Sequence, residues 1–466
     1  MSGNVMSGGA MTARAMVDQL DRTGSCARPV RIVTFREGHP DEDRVMLLPC
    51  KDRRSAVCPA CSHTYKGDAW QVVATGLQGG KGVPVEVGTH PRVFVTLTAP
   101  SFGPVHTRSS HGSGNQFCRR ARAIRCVHGI STECLVSHHE GDPLLGQPIC
   151  PRCFDYAGAV LWNAHVAVLW QRTAKRVLRY LERAGDGGGD GLRLSYVKAA
   201  EFQRRGLVHL HVVVRVDGIE GPGDPPPAWA TPDLVIEALT AVVPEVSTSV
   251  PGHGTRGPDA IGWGRQMVAT VLAGGGPAGT VTTEEPVAGR PLAGEQPAAA
   301  PLESMPPAGG EEEDNRHMAV AAYVAKYATK TADTTGALAY RIRRPSDIVH
   351  LRINGHQRRL VETAWTLGGD LDLAELRLRR CAHSFGYRGH VVTKSSLYST
   401  TFSALRSARA EYRARTGDPR MERGDDAHFG FAGRGYDDPS VGMLAFHLAQ
   451  LAITGPDTSS NLKDGS

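Results

Sequence analysis

LRLSYVKAAEFQRRGLVHLHVVVRVDG, running from Leu192 to Gly218, decides how the chain is read. Two runs rich in β-branched and apolar residues flank the turn-prone QRRG of Gln203 to Gly206, a pattern that predicts a β-hairpin. Side chains alternate between the faces of a strand, so His209 and His211 stand side by side while Leu210 points the other way. Glu201 lies across the turn, eight residues before His209, where the hairpin brings its carboxylate toward the same imidazoles. Two histidines, one carboxylate and open positions suit Mg2+ or Mn2+ acting as a Lewis acid on a phosphate oxygen. The competing reading of a His-x-His in a strand is a pair of satisfied structural histidines.

Moving outward, PRVFVTLTAPSFG (Pro91 to Gly103) alternates like a strand, and Tyr156 to Ala184 has the apolar spacing of a long amphipathic helix. After the hairpin comes GPGDPPPAW, and a low-complexity stretch from Ala273 to Asp314 reads as disordered or linker. Helical composition returns from Arg316 to Asp333. There Tyr323 and Tyr327 are four residues apart, on one helix face, with Lys326 and Lys330 close by. A tyrosine hydroxyl can attack phosphorus, and neighbouring ammonium groups favour phenolate and balance charge on the phosphate. Two aromatic residues packing a helix onto a core would give the same spacing.

With 466 residues the chain has room for two or three domains. Its net charge is +6, yet Arg316 to Arg423 alone holds 20 Lys/Arg against 9 Asp/Glu, a surface suited to a polyphosphate partner or to ordinary solvation. Arginines interleaved with Tyr, Phe and His in that segment could track a phosphate backbone and stack on unpaired bases. The N-terminus lacks the pattern of a signal peptide, and the apolar run Tyr156 to Trp170 is too short for a bilayer and broken by Asn163 and His165. The expectation is a soluble cytoplasmic protein without membrane partners. In that compartment the ten cysteines suit metal better than disulfides.

CPAC at Cys58 and Cys61 and CPRC at Cys150 and Cys153 are each half of a tetrahedral zinc site. In one arrangement Cys58 and Cys61 join Cys26 and Cys50, while Cys150 and Cys153 join two among Cys126, Cys134, His128, His138 and His139. In another, the two CxxC pairs share one ion. Cys381 reads as a buried apolar thiol. No GKS/T phosphate loop is present that would mark an internal helicase.

GLVHLHVVVR resembles the histidine-hydrophobic-histidine motif of HUH endonucleases, YVAKYATK the tyrosine motif of rolling-circle replication initiators, and FVTLTAPSFG the strand of their first motif. THPRVFVTLTAPSFGPVH, FDYAGAVLWNAH, PPPAWAT, AYVAKYATK and GYRGHVVTKSS are most similar to the initiators of actinomycete, Streptomyces-type, plasmids, over about Cys26 to Arg415. The resemblance implies an α+β fold, an antiparallel sheet with flanking helices and a ferredoxin-like or RRM-like core. Glu201, His209 and His211 would hold the metal, Tyr327 would be the primary nucleophile with Lys326 beside it, and Tyr323 would resolve the covalent intermediate. The histidines precede the tyrosines, as in replication initiators. Partners implied are plasmid origin DNA, single-stranded or cruciform, and a host helicase and polymerase; oligomeric state stays open. The segments would be a Cys-rich zinc-binding region over 1–90, the endonuclease over 91–333 with a Cys/His-rich insertion at 118–153 and a disordered one at about 273–314, a basic, mainly helical DNA-binding region over 334–423, and a loose tail over 424–466. A transposase or mobilisation relaxase with the same apparatus, and a non-catalytic zinc-containing DNA-binding regulator, are the other readings.

Overall fold

A computed structural model describes residues 13–35, 44–108, 117–118, 125–185, 191–252, 259–273, 280–283, 317–326, 341–415 and 428–454. In chain order they form α1 (Ala13–Thr23), β1 (Val30–Phe35), β2 (Arg44–Leu48), α2 (Pro59–Gln78), β3 (Arg92–Leu97), α3 (Tyr156–Ala184), β4 (Leu192–Phe202), β5 (Val208–Gly218) and α4 (Pro232–Val242). Then come β6 (Ser247–Val250), β7 (Asp259–Gly262), β8 (Met267–Ala273), β9 (Thr280–Thr283) and a helix over residues 317–326, here α5. The remainder is α6 (Pro345–Val349), α7 (Gly355–Leu367), α8 (Leu378–Cys381), β10 (Val392–Lys394), α9 (Phe402–Arg415), β11 (His428–Arg434) and α10 (Pro439–Thr454). The architecture is α+β with antiparallel sheets, as the sequence predicts. No helix among the described residues is long and apolar enough to cross a membrane.

Two compact units result: Met1–Asp68 with Ser403–Ser466, and Ala69–Phe402. They divide the chain differently from the linear segments read in the sequence. In the first unit β1 is central, between β11 and β2. Leu20, Val441 and Ala445 pack there with Cys26, Cys58 and Cys61, and the Tyr436 hydroxyl donates to the Cys26 carbonyl at 2.8 Å. The tail expected to be loose therefore supplies an edge strand and a packed helix. Its strand, HFGFAGR, alternates phenylalanine with glycine and carries little strand propensity, which hid it.

The second unit is built on an antiparallel sheet of order β10-β4-β5-β3-β8-β9. Its core follows from strict alternation. Val93, Val95 and Leu97 of β3 and Leu210, Val212, Val214 and Val216 of β5 face α3, whose Trp162, Val166, Leu169, Trp170, Val177 and Leu181 fill the same cluster. Fully burying each such side chain contributes roughly 1.5–3 kcal/mol. Asp155 caps α3 by accepting from the Gly158 amide at 2.9 Å. β10, from the stretch read as a separate basic region, is an edge of this sheet, Val392 pairing with Ala199. β9, inside the stretch read as linker from Ala273 to Asp314, pairs with β8; residues 284–314 lie outside the described residues.

The predicted hairpin forms with Glu201 directly opposite His209 and Phe202 opposite Val208. Its turn closes through Gln203 N–H to Leu207 O and Gly206 N–H to Gln203 O, both 2.8 Å. Gly206 has φ +77°, and a Cβ there would stand 2.3 Å from Leu360 Cδ1, so the turn needs glycine. Two polar side chains clamp this tip from outside. Asn163 of α3, fully buried, donates to Gly206 O at 2.9 Å and Phe385 O at 3.1 Å, and accepts from Val208 N–H at 3.1 Å. His356 of α7 donates Nε2–H to Arg205 O at 3.0 Å, which leaves Nδ1 to accept from the Tyr156 hydroxyl at 3.1 Å. Asn163 of α3 and His356 of α7 thus serve one turn.

Asn163→Ala would strand three buried backbone groups and lower stability by about 2–3 kcal/mol, read as a drop in the urea midpoint. Burial pushes the His356 imidazole down to about 4, below the roughly 6.5 of an unfolded histidine. The unfolded chain therefore takes up the proton first, and stability is full above about pH 6.5 and falls as pH drops toward 4, with a slope of up to about 1.4 kcal/mol per pH unit. Urea midpoints measured across that window should show a flatter profile in His356→Gln than in the parent chain.

Candidate active site and metal centres

The face of the sheet away from α3 carries the polar residues. Phe94 and Thr96 of β3, His209 and His211 of β5 and Glu201 of β4 share it, because Thr96 pairs with His211 and Glu201 with His209. His211 stands between two partners: its Nε2 is 2.8 Å from Glu201 Oε2 and its Nδ1 is 3.1 Å from Thr96 Oγ1. Its ring lies parallel to that of Phe94, centroids 6.1 Å apart. These contacts fix the imidazole plane.

His209 is buried, and its Nε2 has no hydrogen-bond partner among the described residues. Burial, with the positive charge of Arg205 and the neighbouring His211, holds this imidazole well below its usual range, so it is neutral. An uncompensated buried ring nitrogen costs about 1–3 kcal/mol, and a neutral imidazole nitrogen is what a metal ion binds. Glu201 keeps 23% of its side chain exposed, which leaves solvent access to the carboxylate. The donor set of two imidazoles and one carboxylate, with one nitrogen unmatched, fits a divalent ion.

Helix α5 brings Tyr323 to this face. Its ring centroid is 5.3 Å from that of His211 and 5.9 Å from that of Phe94, edge-on to both. Val320, Ala321, Val324 and Ala325 are the buried side of the helix, Tyr323 is half-buried and Lys326 is exposed. Tyr327 and Lys330 lie outside the described residues. Three residues near the histidines were not singled out from sequence: Thr96, Phe94 and Arg205. The first two share the period-2 face of TLTAPSFG's strand, and Arg205 sits in the QRRG tip.

The cysteines gather in groups whose ligand atoms all lie within 4.8 Å of one another. Cys26, Cys50, Cys58 and Cys61 form one, matching the first arrangement read from sequence. Backbone N–H groups of Ala27, Cys50 and Asp52 donate to the sulfurs of Cys58, Cys26 and Cys50 at 3.3, 3.2 and 3.4 Å. Cys150 and Cys153 meet Cys126 and His128, with His128 Nδ1 3.2 Å from Cys153 Sγ. The two CxxC pairs do not share one site. A further group, His106, Cys118, Cys134 and His138, was not foreseen; Cys134 and His138 were among the five candidates to join Cys150 and Cys153. His139 stands outside all of these groups, as does the half-buried Cys381. Such Cys/His sets could hold structural zinc.

A protein-family profile described as "Replication initiator protein, pSAM2" matches residues 12–450. A replication initiator protein of Streptomyces ambofaciens is 38% identical over 419 residues, covering 85% of this chain and 80% of that protein. No solved structure matches at a significant level.

Proposed function

The chain belongs to this family of Streptomyces-type plasmid replication initiators, and from that premise we propose that it starts rolling-circle replication by nicking one strand of the origin as an HUH endonuclease. The observation that carries the reading is the shared sheet face on which Glu201 and His209 pair across the hairpin and the Tyr323 ring stands 5.3 Å from His211. A divalent ion, Mg2+ or Mn2+, held by His209, His211 and Glu201 would polarise the scissile phosphate.

The chain's own residues do the rest. The phenol oxygen of Tyr327 forms a bond to phosphorus as the bond from phosphorus to the 3′-oxygen breaks. The phenol loses its proton, the 3′-oxygen gains one, and the products are a 5′-phosphotyrosine and a free 3′-hydroxyl for a host polymerase, with a host helicase opening the duplex ahead. Lys326 stabilises the phenolate and the charge that builds on the phosphate. One phosphodiester is exchanged for another, so the strand can be resealed, with Tyr323 as the second nucleophile that resolves the covalent intermediate. Arginines of the segment after α5 contribute phosphate contacts on single-stranded or cruciform origin DNA.

The test is incubation of the full chain with supercoiled origin plasmid and Mn2+, followed by mass spectrometry of the adduct. The expected result is nicked DNA with phosphorus on Tyr327, and a first-turnover rate reduced by more than about a thousandfold in Tyr327→Phe. An adduct on Tyr323 in the parent chain would exchange the two roles. A chain that binds the origin and nicks with neither Mg2+ nor Mn2+ is a regulator, and the reading fails.

A further inference from the structure

Between β3 and α3, the part of the chain around residues 127–136 does not use apolar burial to stay in place. Val127, Ile130, Leu135 and Val136 are all exposed, Val127 at 94%. Something other than a hydrophobic core holds this stretch, and the side-chain geometry indicates what.

We propose that this segment binds two zinc ions in an interleaved arrangement, one of them at His106, Cys118, Cys134 and His138, and that this ion braces the hairpin tip of the candidate active site. Along the chain the ligands alternate in pairs: His106 and Cys118, then Cys126 and His128, then Cys134 and His138, then Cys150 and Cys153. First and third pairs make one site, second and fourth the other. Each ion therefore closes a loop that contains a pair belonging to its neighbour.

The distances are those of a metal tetrahedron. Zinc bonds of about 2.0–2.1 Å to nitrogen and 2.3 Å to sulfur imply edges of roughly 3.4 Å between nitrogens and 3.6 Å between nitrogen and sulfur. His106 Nδ1 is 3.1 Å from His138 Nε2, Cys134 Sγ is 3.6 Å from His138 Nε2, and Cys118 Sγ is 3.8 Å from His106 Nδ1. In the other site His128 Nδ1 is 3.2 Å from Cys153 Sγ and 3.6 Å from Cys150 Sγ. Outer partners orient the ligands of the first site. His138 donates Nδ1–H to Asp142 Oδ2 at 2.6 Å, which leaves the Nε2 lone pair aimed into the group. The Thr107 amide donates to Cys118 Sγ at 3.3 Å.

The same residues reach the hairpin. Asp142, which orients His138, accepts from Arg204 Nη1 through its carbonyl at 3.4 Å, and the Glu140 carbonyl accepts from Arg204 Nη2. His106 and the chain at Gly146 and Gln147 exchange backbone hydrogen bonds of 2.8 Å. Gly146, at φ +81°, lies so close to the tip that a Cβ would be 2.6 Å from the Arg204 carbonyl carbon. Arg204 stands between Glu201 and His209, so the path from the ion to the candidate active site is a few bonds long. The metal assignment is independent of the nicking reading; the functional weight of the brace rests on it.

Elemental analysis and native mass spectrometry of the full chain should find three zinc ions, one in the Cys26 group and two here. Cys118→Ala should reduce the count to one when free zinc is held low by a chelator, because the second site loses the brace inside its loop. Cys118→His, which keeps a ligand, should restore three. Two zinc ions in the parent chain with Cys118 and Cys134 open to alkylation, or Cys118→Ala retaining two, would overturn the interleaved assignment. Hydrogen exchange of residues 199–212 should quicken several-fold when zinc is withdrawn and in Arg204→Ala, which keeps all three ions; unchanged exchange in both would overturn the brace. A chain that never nicks yet gives these counts and rates would overturn the nuclease reading alone.

Discussion

Everything in the larger unit depends on β5 being covered on both faces. All of its residues from Val208 to Gly218 are buried, so each non-apolar side chain must find a partner or carry a cost. The α3 face solves this with aliphatic residues alone. The other face holds His209, His211, Arg215 and Asp217 in a row, and each is matched in a different way. Arg215 and Asp217 pair through two hydrogen bonds, 2.6 and 2.9 Å, and the aspartate also receives His90 and Ser195 at 2.8 and 2.6 Å. Burial pushes the Asp217 carboxyl up, but hydrogen bonds from His90 and Arg215 outweigh it and hold it below the usual range. A buried pair of this kind is neutral for stability at best, and strongly destabilising once half of it is removed. His211 is matched by Glu201 and Thr96. His209 Nε2 is left over, and the leftover nitrogen is the part of the row that points to an ion.

The legible portion of the structure is the portion that alternation controls. A period of two set the faces of β4 and β5, and the short QRRG tip set the register, so the meeting of Glu201 with the two histidines could be read from Leu192 to Gly218 alone. The span of α3 was legible from its periodicity, while the four-cysteine group was one of two arrangements that ligand spacing left open. What escaped was long-range pairing. β10 joins β4 across almost two hundred residues, and nothing local in VTK marks a sheet edge. The sorting of Cys126, His128, Cys134 and His138 escaped because eight ligands in one stretch allow many partitions, and only the backbone decides among them. Arg205 and Asn163 escaped because a turn arginine and a helical asparagine have no signature until the turn and the helix are brought together.

The position of α5 shows how the two halves of the candidate site are kept in register despite more than a hundred residues between His211 and Tyr323. Small and β-branched residues, Val320, Ala321, Val324 and Ala325, form the buried side of the helix, and such side chains let a helix lie close to what it covers. Tyr323 is then set by edge-on ring contacts with Phe94 and His211. Edge-to-face ring packing of this kind constrains the plane of a phenol. A hairpin clamped at its tip by Asn163, His356 and the Cys/His segment, and a helix seated by small residues, together hold Glu201, His209, His211 and Tyr323 on one sheet face. Rigid elements on both sides are what any site needs if groups far apart in sequence are to keep a fixed geometry.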